Sequence, residues 1–133
     1  MTRKPLLLLA SALIMMSCGK GSSTTDKHTA MRQAAQHYYT LLLEEKYDSL
    51  VLGIDAPDSL PIDYRSQLAD AMAQYKIRET RGRQGLTGFR IVGDSLFPDS
   101  ISGYTEIELT FGDQSHEQII MPLVYVDGIW KMK

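Results

Sequence analysis

The chain has 133 residues, with 14 lysines and arginines against 16 aspartates and glutamates, and a single cysteine. That length supports one domain with a real core, and the mildly acidic balance argues against non-specific nucleic-acid binding, which needs clustered cations to neutralise phosphates. One cysteine can form no internal disulfide, and a thiol without partners is a poor metal site.

Arg3 and Lys4 give the chain a positive start, Pro5 to Met16 form an uncharged apolar run, and Ser17 places a small residue before Cys18. These are the three parts of a secretory signal, and the run is shorter than the ~20 apolar residues of a membrane span. The pattern resembles a bacterial lipoprotein signal, in which the thiol receives a diacylglyceryl group and the peptide is cut just before it. Met15 and Met16 stand where the usual lipobox has leucine and a small residue. The resemblance implies that residues 1–17 are removed, that Cys18 carries lipid as the mature first residue, and that the protein lies in the cell envelope. Gly19 points to the outer membrane. Two or three acyl chains hold a domain stably on a bilayer, at ~0.8 kcal/mol per buried CH₂, where one chain is marginal. The alternative is an ordinary secretory signal cut nearby, with Cys18 unmodified.

Residues 18–28, with the Gly/Ser/Thr-rich "GKGSSTTDKH", read as a flexible tether. A single domain over 29–133 follows. Met31, Ala34, Ala35, Tyr38, Leu41 and Leu42 recur at three- and four-residue spacing and predict an amphipathic helix from about Thr29 to Glu45. Asp48 is placed to cap a short second helix that turns Leu50, Val51 and Ile54 inward and ends by Pro57. A third helix is expected from Pro61 to Arg78, with Ile62, Leu68, Met72 and Tyr75 as its interior stripe; proline is tolerated in a first helical turn.

From Gly88 onward the period changes to 2, the mark of strands. Phe89 and Ile91 oppose Arg90, and Thr105, Ile107, Leu109 and Phe111 alternate with Glu106 and Glu108. After "HEQIIMPLVYV", Asp127-Gly128 signals a two-residue hairpin turn that pairs Val126 with Ile129 and Tyr125 with Trp130. Leu123, Tyr125, Trp130 and Met132 then share a face, and Trp130 is expected in the core. For the preceding hairpin, burial favours an odd loop centred on Gln114, with Leu109 opposite Ile119, Ile107 opposite Met121 and Thr105 opposite Leu123. Glu106, Glu108, Ile120 and Pro122 fall on the wetter side, and Gly112 is placed for the left-handed conformation.

Three helices and then four antiparallel strands imply an α+β fold, helices packed on one face of a curved sheet. The order of elements, the helix break in "YYTLLLEEKYDSL" and the ending "LVYVDGIWKMK" resemble small bacterial lipoproteins with the nuclear transport factor 2-like, or cystatin-like, fold. Among these the chain looks most like the domain of unknown function numbered 4878, over Thr29 to Lys133. The resemblance implies a cone whose sheet and helices enclose a pocket, used by some relatives for isomerase or dehydratase chemistry.

Residues for such chemistry are sparse. His28, His37 and His116 have no neighbouring ligand in a metal-binding spacing, and no metal or cofactor is implied. Asp63 and Asp70 share a face of the third helix beside Arg65, as a solvated polar face would. Lys76, Arg78, Arg81 and Arg83 form a basic run that suits a helix C-terminus. "SCGK" matches S-x-x-K only across the expected cleavage point. Tyr38, Tyr64, Tyr75, Tyr104, Tyr125 and Trp130 combine apolar rings with polar tips and are the candidate lining of an apolar pocket. The reading is a non-catalytic envelope module that binds a small apolar ligand or an envelope protein. The alternative is a small cone-fold enzyme, isomerase- or hydrolase-like, acting in the periplasm.

Overall fold

The computed structural model describes residues 24–56 and 60–133. The first helix, α1, runs over Thr24–Leu43, so it begins inside the segment expected to be tether. Tertiary partners explain the extension, since the Lys27 ammonium donates to the Ser100 carbonyl at 3.1 Å and His28 and Arg32 both reach Asp94. Met31, Ala35, Tyr38 and Leu42 are buried, one per turn, as the spacing requires. The helix ends two residues before Glu45. Glu45 is left-handed (φ 61°), its N–H bonds the Leu42 carbonyl, and the Lys46 N–H bonds the Leu41 carbonyl. That pair of bonds is a Schellman stop with glutamate where glycine is usual.

Helix α2 is a single turn, Tyr47–Val51, and Lys46 rather than Asp48 is its cap residue. Asp48 lies within the first turn, where a carboxylate still complements the helix dipole. Leu50 and Val51 are buried as expected. Helix α3 spans Ile62–Thr80 behind Pro61. Ile62, on the first turn of α3, departs from the expected stripe and is 79 % exposed. Ala69 is the buried position of α3, and Leu68, Met72 and Tyr75 are half-buried.

Four strands follow, β1 (Leu86–Leu96), β2 (Ser102–Phe111), β3 (His116–Val126) and β4 (Ile129–Met132), as an antiparallel meander in sequence order. Val126 opposes Ile129 and Tyr125 opposes Trp130, with Asp127 at φ 50° and Gly128 at φ 84°, the left-handed pair that a type I′ turn demands. The chain after α2 closes the β4 edge: Met132 N–H donates to Gly53 and Asp55 N–H to Met132, at 2.7 and 2.8 Å. An edge covered in this way cannot pair with another chain.

The β2–β3 hairpin has the expected faces but not the expected pairing. Leu109 stands opposite Glu117, Ile107 opposite Ile119, Thr105 opposite Met121 and Gly103 opposite Leu123, so the loop is centred on Asp113. The cause is the turn. Phe111 bonds Ser115 and accepts from Gln114 N–H, and Gln114, not Gly112, takes the left-handed conformation at φ 72°. A slide of two residues leaves every side chain on its original face. Pro122 sits where β3 runs past the end of β4; its carbonyl accepts from Lys133 N–H, so its missing donor faces away from β2.

A bulge in β1 had no signal in the alternation. Ile91 pairs with Ile107, but Gly93 pairs with Glu106, leaving Val92 as an extra residue. The inward set therefore shifts from Phe89 and Ile91 to Asp94 and Leu96, which puts a carboxylate on the inner face opposite Thr105. Over that face lies α1. The core joins Met31, Ala35, Tyr38, Tyr39, Leu41 and Leu42 of α1 to Ile107, Leu109 and Phe111 of β2, Leu123 of β3 and Trp130 of β4.

Candidate functional site

Beside that core, the gap between α3 and the middle of β3 forms a cleft of about 260 Å³. Helix α1 supplies Tyr38, Tyr39 and Leu42, three residues within little more than one turn, and α2 supplies Leu50. Met72 and Tyr75 of α3 form the opposite wall. Ile119 to Pro122 of β3 and the chain end at Met132 and Lys133 complete it. A concave, mostly apolar surface with a few polar groups is the usual form of a small-molecule site.

The polar groups of the walls include three tyrosine hydroxyls and Lys133. Tyr38 donates to the Trp130 carbonyl at 2.5 Å. The Tyr39 and Tyr75 hydroxyls face one another as hydrogen-bond partners. Burial pushes the Tyr39 phenol far above its ordinary range, helped by Tyr75 and by the carboxylates of Glu79 and Glu117. Burial and Glu79 raise Tyr75 in the same direction, and burial raises Tyr38. These phenols stay protonated, as neutral donors.

Of the six aromatic residues expected to line a pocket, the structure brings Tyr38 and Tyr75 to this cleft. Tyr64 is 47 % exposed on the first turns of α3. Tyr104 lies on the outer sheet face, edge-on to Phe97 with ring centroids 5.9 Å apart. Tyr125 packs on Trp130 at 5.2 Å, and Trp130 is 3 % exposed within the core. Tyr39 is the lining residue that sequence reasoning passed over, although it stands four residues after Ala35 on the buried side of α1. The Ile119–Met121 stretch carried no signal for a cleft, because its position depends on the hairpin register. Cys18 lies outside the described residues.

The histidines fall into different settings. His37 is exposed and tilted against Tyr38, and His116 meets the Thr110 hydroxyl at 3.2 Å. His28 bonds one oxygen of Asp94 through Nδ1 while Arg32 Nε bonds the other. Burial pushes the Asp94 carboxyl up, but the bonds from Arg32 and His28 outweigh it and hold the group below its usual range. Asp63 and Asp70 are both exposed. The basic run is split: Lys76 bonds the Leu43 carbonyl and Glu45, and Arg83 lies over the Phe111 ring at 4.5 Å and pairs with Glu117. Among the described residues no group of three His, Cys, Asp or Glu side chains could hold a metal, and no helix is long and apolar enough to cross a membrane.

No family model matches the chain, and no curated protein matches it. Among solved structures, it is similar to a crystal structure from Campylobacter jejuni named as an NTF2-like transpeptidase. The TM-score is 0.58 at 14 % sequence identity, over 75 % of this chain and 94 % of that one. A likeness at that identity speaks for architecture, and it agrees with helices packed on a curled four-stranded antiparallel sheet. The chain has the nuclear transport factor 2-like fold.

Proposed function

We propose that this chain is a lipid-anchored protein of the bacterial cell envelope, akin to the domain of unknown function numbered 4878, and that it acts by binding rather than by catalysis. The observation that carries the binding reading is the cleft between α3 and β3, whose walls are mainly aliphatic and aromatic, with neutral phenols and Lys133 as polar groups. Such a site suits a small apolar ligand, or an apolar side chain of an envelope protein.

The neighbour's named reaction, acyl transfer, calls for an activated nucleophile. Phenols with raised pKa are poor ones. The enzyme reading has one observation in its favour, the hydrogen bond between His28 and Asp94. Both Asp94 oxygens are already engaged, one by His28 and one by Arg32, and neither residue lines the cleft. That arrangement fits a brace between α1 and β1.

Two measurements test the reading separately. A solvatochromic apolar dye titrated into the protein should bind with blue-shifted emission, and Met72→Arg, which fills the cleft, should weaken binding at least tenfold while the fold persists. Unchanged affinity in a folded Met72→Arg variant would remove the cleft as the site. For the anchor, Cys18→Ala should move the protein from the membrane to the soluble fraction. Full retention on membranes would sink that part.

A further inference from the structure

The end of the sheet formed by the β1–β2 and β3–β4 turns carries exposed apolar side chains. Phe97 is 43 % exposed, Ile101 48 % and Ile129 55 %. The two turns are neighbours, since Tyr125 N–H donates to the Ile101 carbonyl at 2.7 Å. They are also preformed. Phe97 and Ser102 bond across the first turn, and the Asp99 carboxylate accepts from the Ile101 and Ser102 N–H groups and the Ser102 hydroxyl. The exposed side chains therefore stand on a hydrogen-bonded platform.

The start of α1 arrives at this same end. Lys27 bonds the Ser100 carbonyl within the β1–β2 turn, and its ammonium lies 5.8 Å from the Tyr125 ring centroid. Thr24, where α1 begins, is six residues from Cys18. Six residues reach at most about 20 Å when fully extended. A lipid on Cys18 holds this end of the domain, and not the β2–β3 end, next to the bilayer.

We propose that Phe97, Ile101 and Ile129 form a second membrane contact, resting in the lipid headgroup region and fixing the orientation of the anchored domain. This rests on the lipid-anchor reading. Apolar side chains on a platform tethered beside a bilayer add burial to acyl anchoring, and aromatic rings suit the interface. Lys27, and Lys133 acting on Asp99, offset Asp99 and Asp127 and leave the patch without strong charge of either sign, so a zwitterionic surface fits it. With the domain in this orientation, the β2–β3 turn points away from the membrane.

The test supplies the anchor chemically, so that its outcome does not depend on lipidation in the cell. The described core begins at Met31, so the chain from Cys18 onward retains all of it. This chain is coupled through its cysteine to maleimide lipid in zwitterionic vesicles carrying acyl-brominated phospholipid, which quenches tryptophan at close range. Phe97→Trp should gain emission that falls at least twofold on brominated vesicles, while wild-type Trp130, buried in the core, and Gln114→Trp at the opposite sheet end should change little. Quenching of Phe97→Trp no greater than of wild type overturns the proposal and leaves the patch for a protein surface. Equal quenching at 97 and 114 overturns the orientation. Loss of the anchor reading itself would appear only in the fractionation of Cys18→Ala.

Discussion

Tyr38 donates its hydroxyl proton to the backbone carbonyl of Trp130 at 2.5 Å, across 92 residues, and thereby fixes the C-terminal half of α1 to β4. The bond is buried, so its loss strands an acceptor away from water. Tyr38→Phe should lower stability by about 1 kcal/mol in denaturant titrations, and Trp130→Ala by about 3 to 5 kcal/mol as a truncated core aromatic. Among the described residues the Trp130 indole N–H has no partner, so the contribution of the ring is packing. A loss below about 1 kcal/mol for Trp130→Ala would contradict a core role.

Gly53 is the complement of Tyr38. A Cβ at position 53 would stand 2.2 Å from Tyr38 Cε1, and the backbone of Gly53 is held by Met132. Neither side can withdraw freely. Gly53→Ala should therefore cost about 1 to 3 kcal/mol, the range of an overpacked core. In a Tyr38→Leu background the same substitution should be nearly neutral. An equal penalty in both backgrounds would show that the ring is not the obstacle.

Asp94 gives the fold an acid limit. Its carboxyl is held below the ordinary value of 3.8 in the folded state. A depressed carboxyl contributes stability that is complete above the unfolded value and is lost as pH falls through the folded one. Thermal melts of wild type should fall below about pH 4 more steeply than those of Asp94→Asn, which should be less stable than wild type at pH 7 by about 1 to 2 kcal/mol. Parallel curves would mean that the His28–Asp94–Arg32 brace is immaterial to stability.

Gln114 occupies a left-handed position at φ 72° in an exposed turn. A side chain is strained there and glycine is not. Gln114→Gly should raise the melting temperature, with a gain of roughly 0.5 to 1 kcal/mol. Gly112→Ala should fail, since its Cβ would meet the Gln84 carbonyl oxygen at 2.1 Å. A destabilised Gln114→Gly would show that the turn takes another form in solution.

The sequence by itself determined what depends on neighbours in the chain. Three- and four-residue spacing marked α1 and α3, alternation marked the buried face of β2, and Asp127-Gly128 set the last hairpin to the residue, because turn chemistry acts over two residues. Alternation also fixed the parity of the β2–β3 pairing. It could not fix the pairing itself, since a slide of two residues buries the same side chains, and only the three-residue turn at Gly112–Gln114 decided between them. The bulge at Val92, which turns Asp94 inward to His28 and Arg32, is likewise a product of pairing with β2. Those bonds in turn extend α1 back to Thr24, into a stretch that is too polar to be helical on local grounds. The tyrosines were legible as amphipathic rings, but which of them share a cleft was decided by the separation of α3 from β3. That separation is a distance between surfaces far apart in the chain, and no local pattern encodes it.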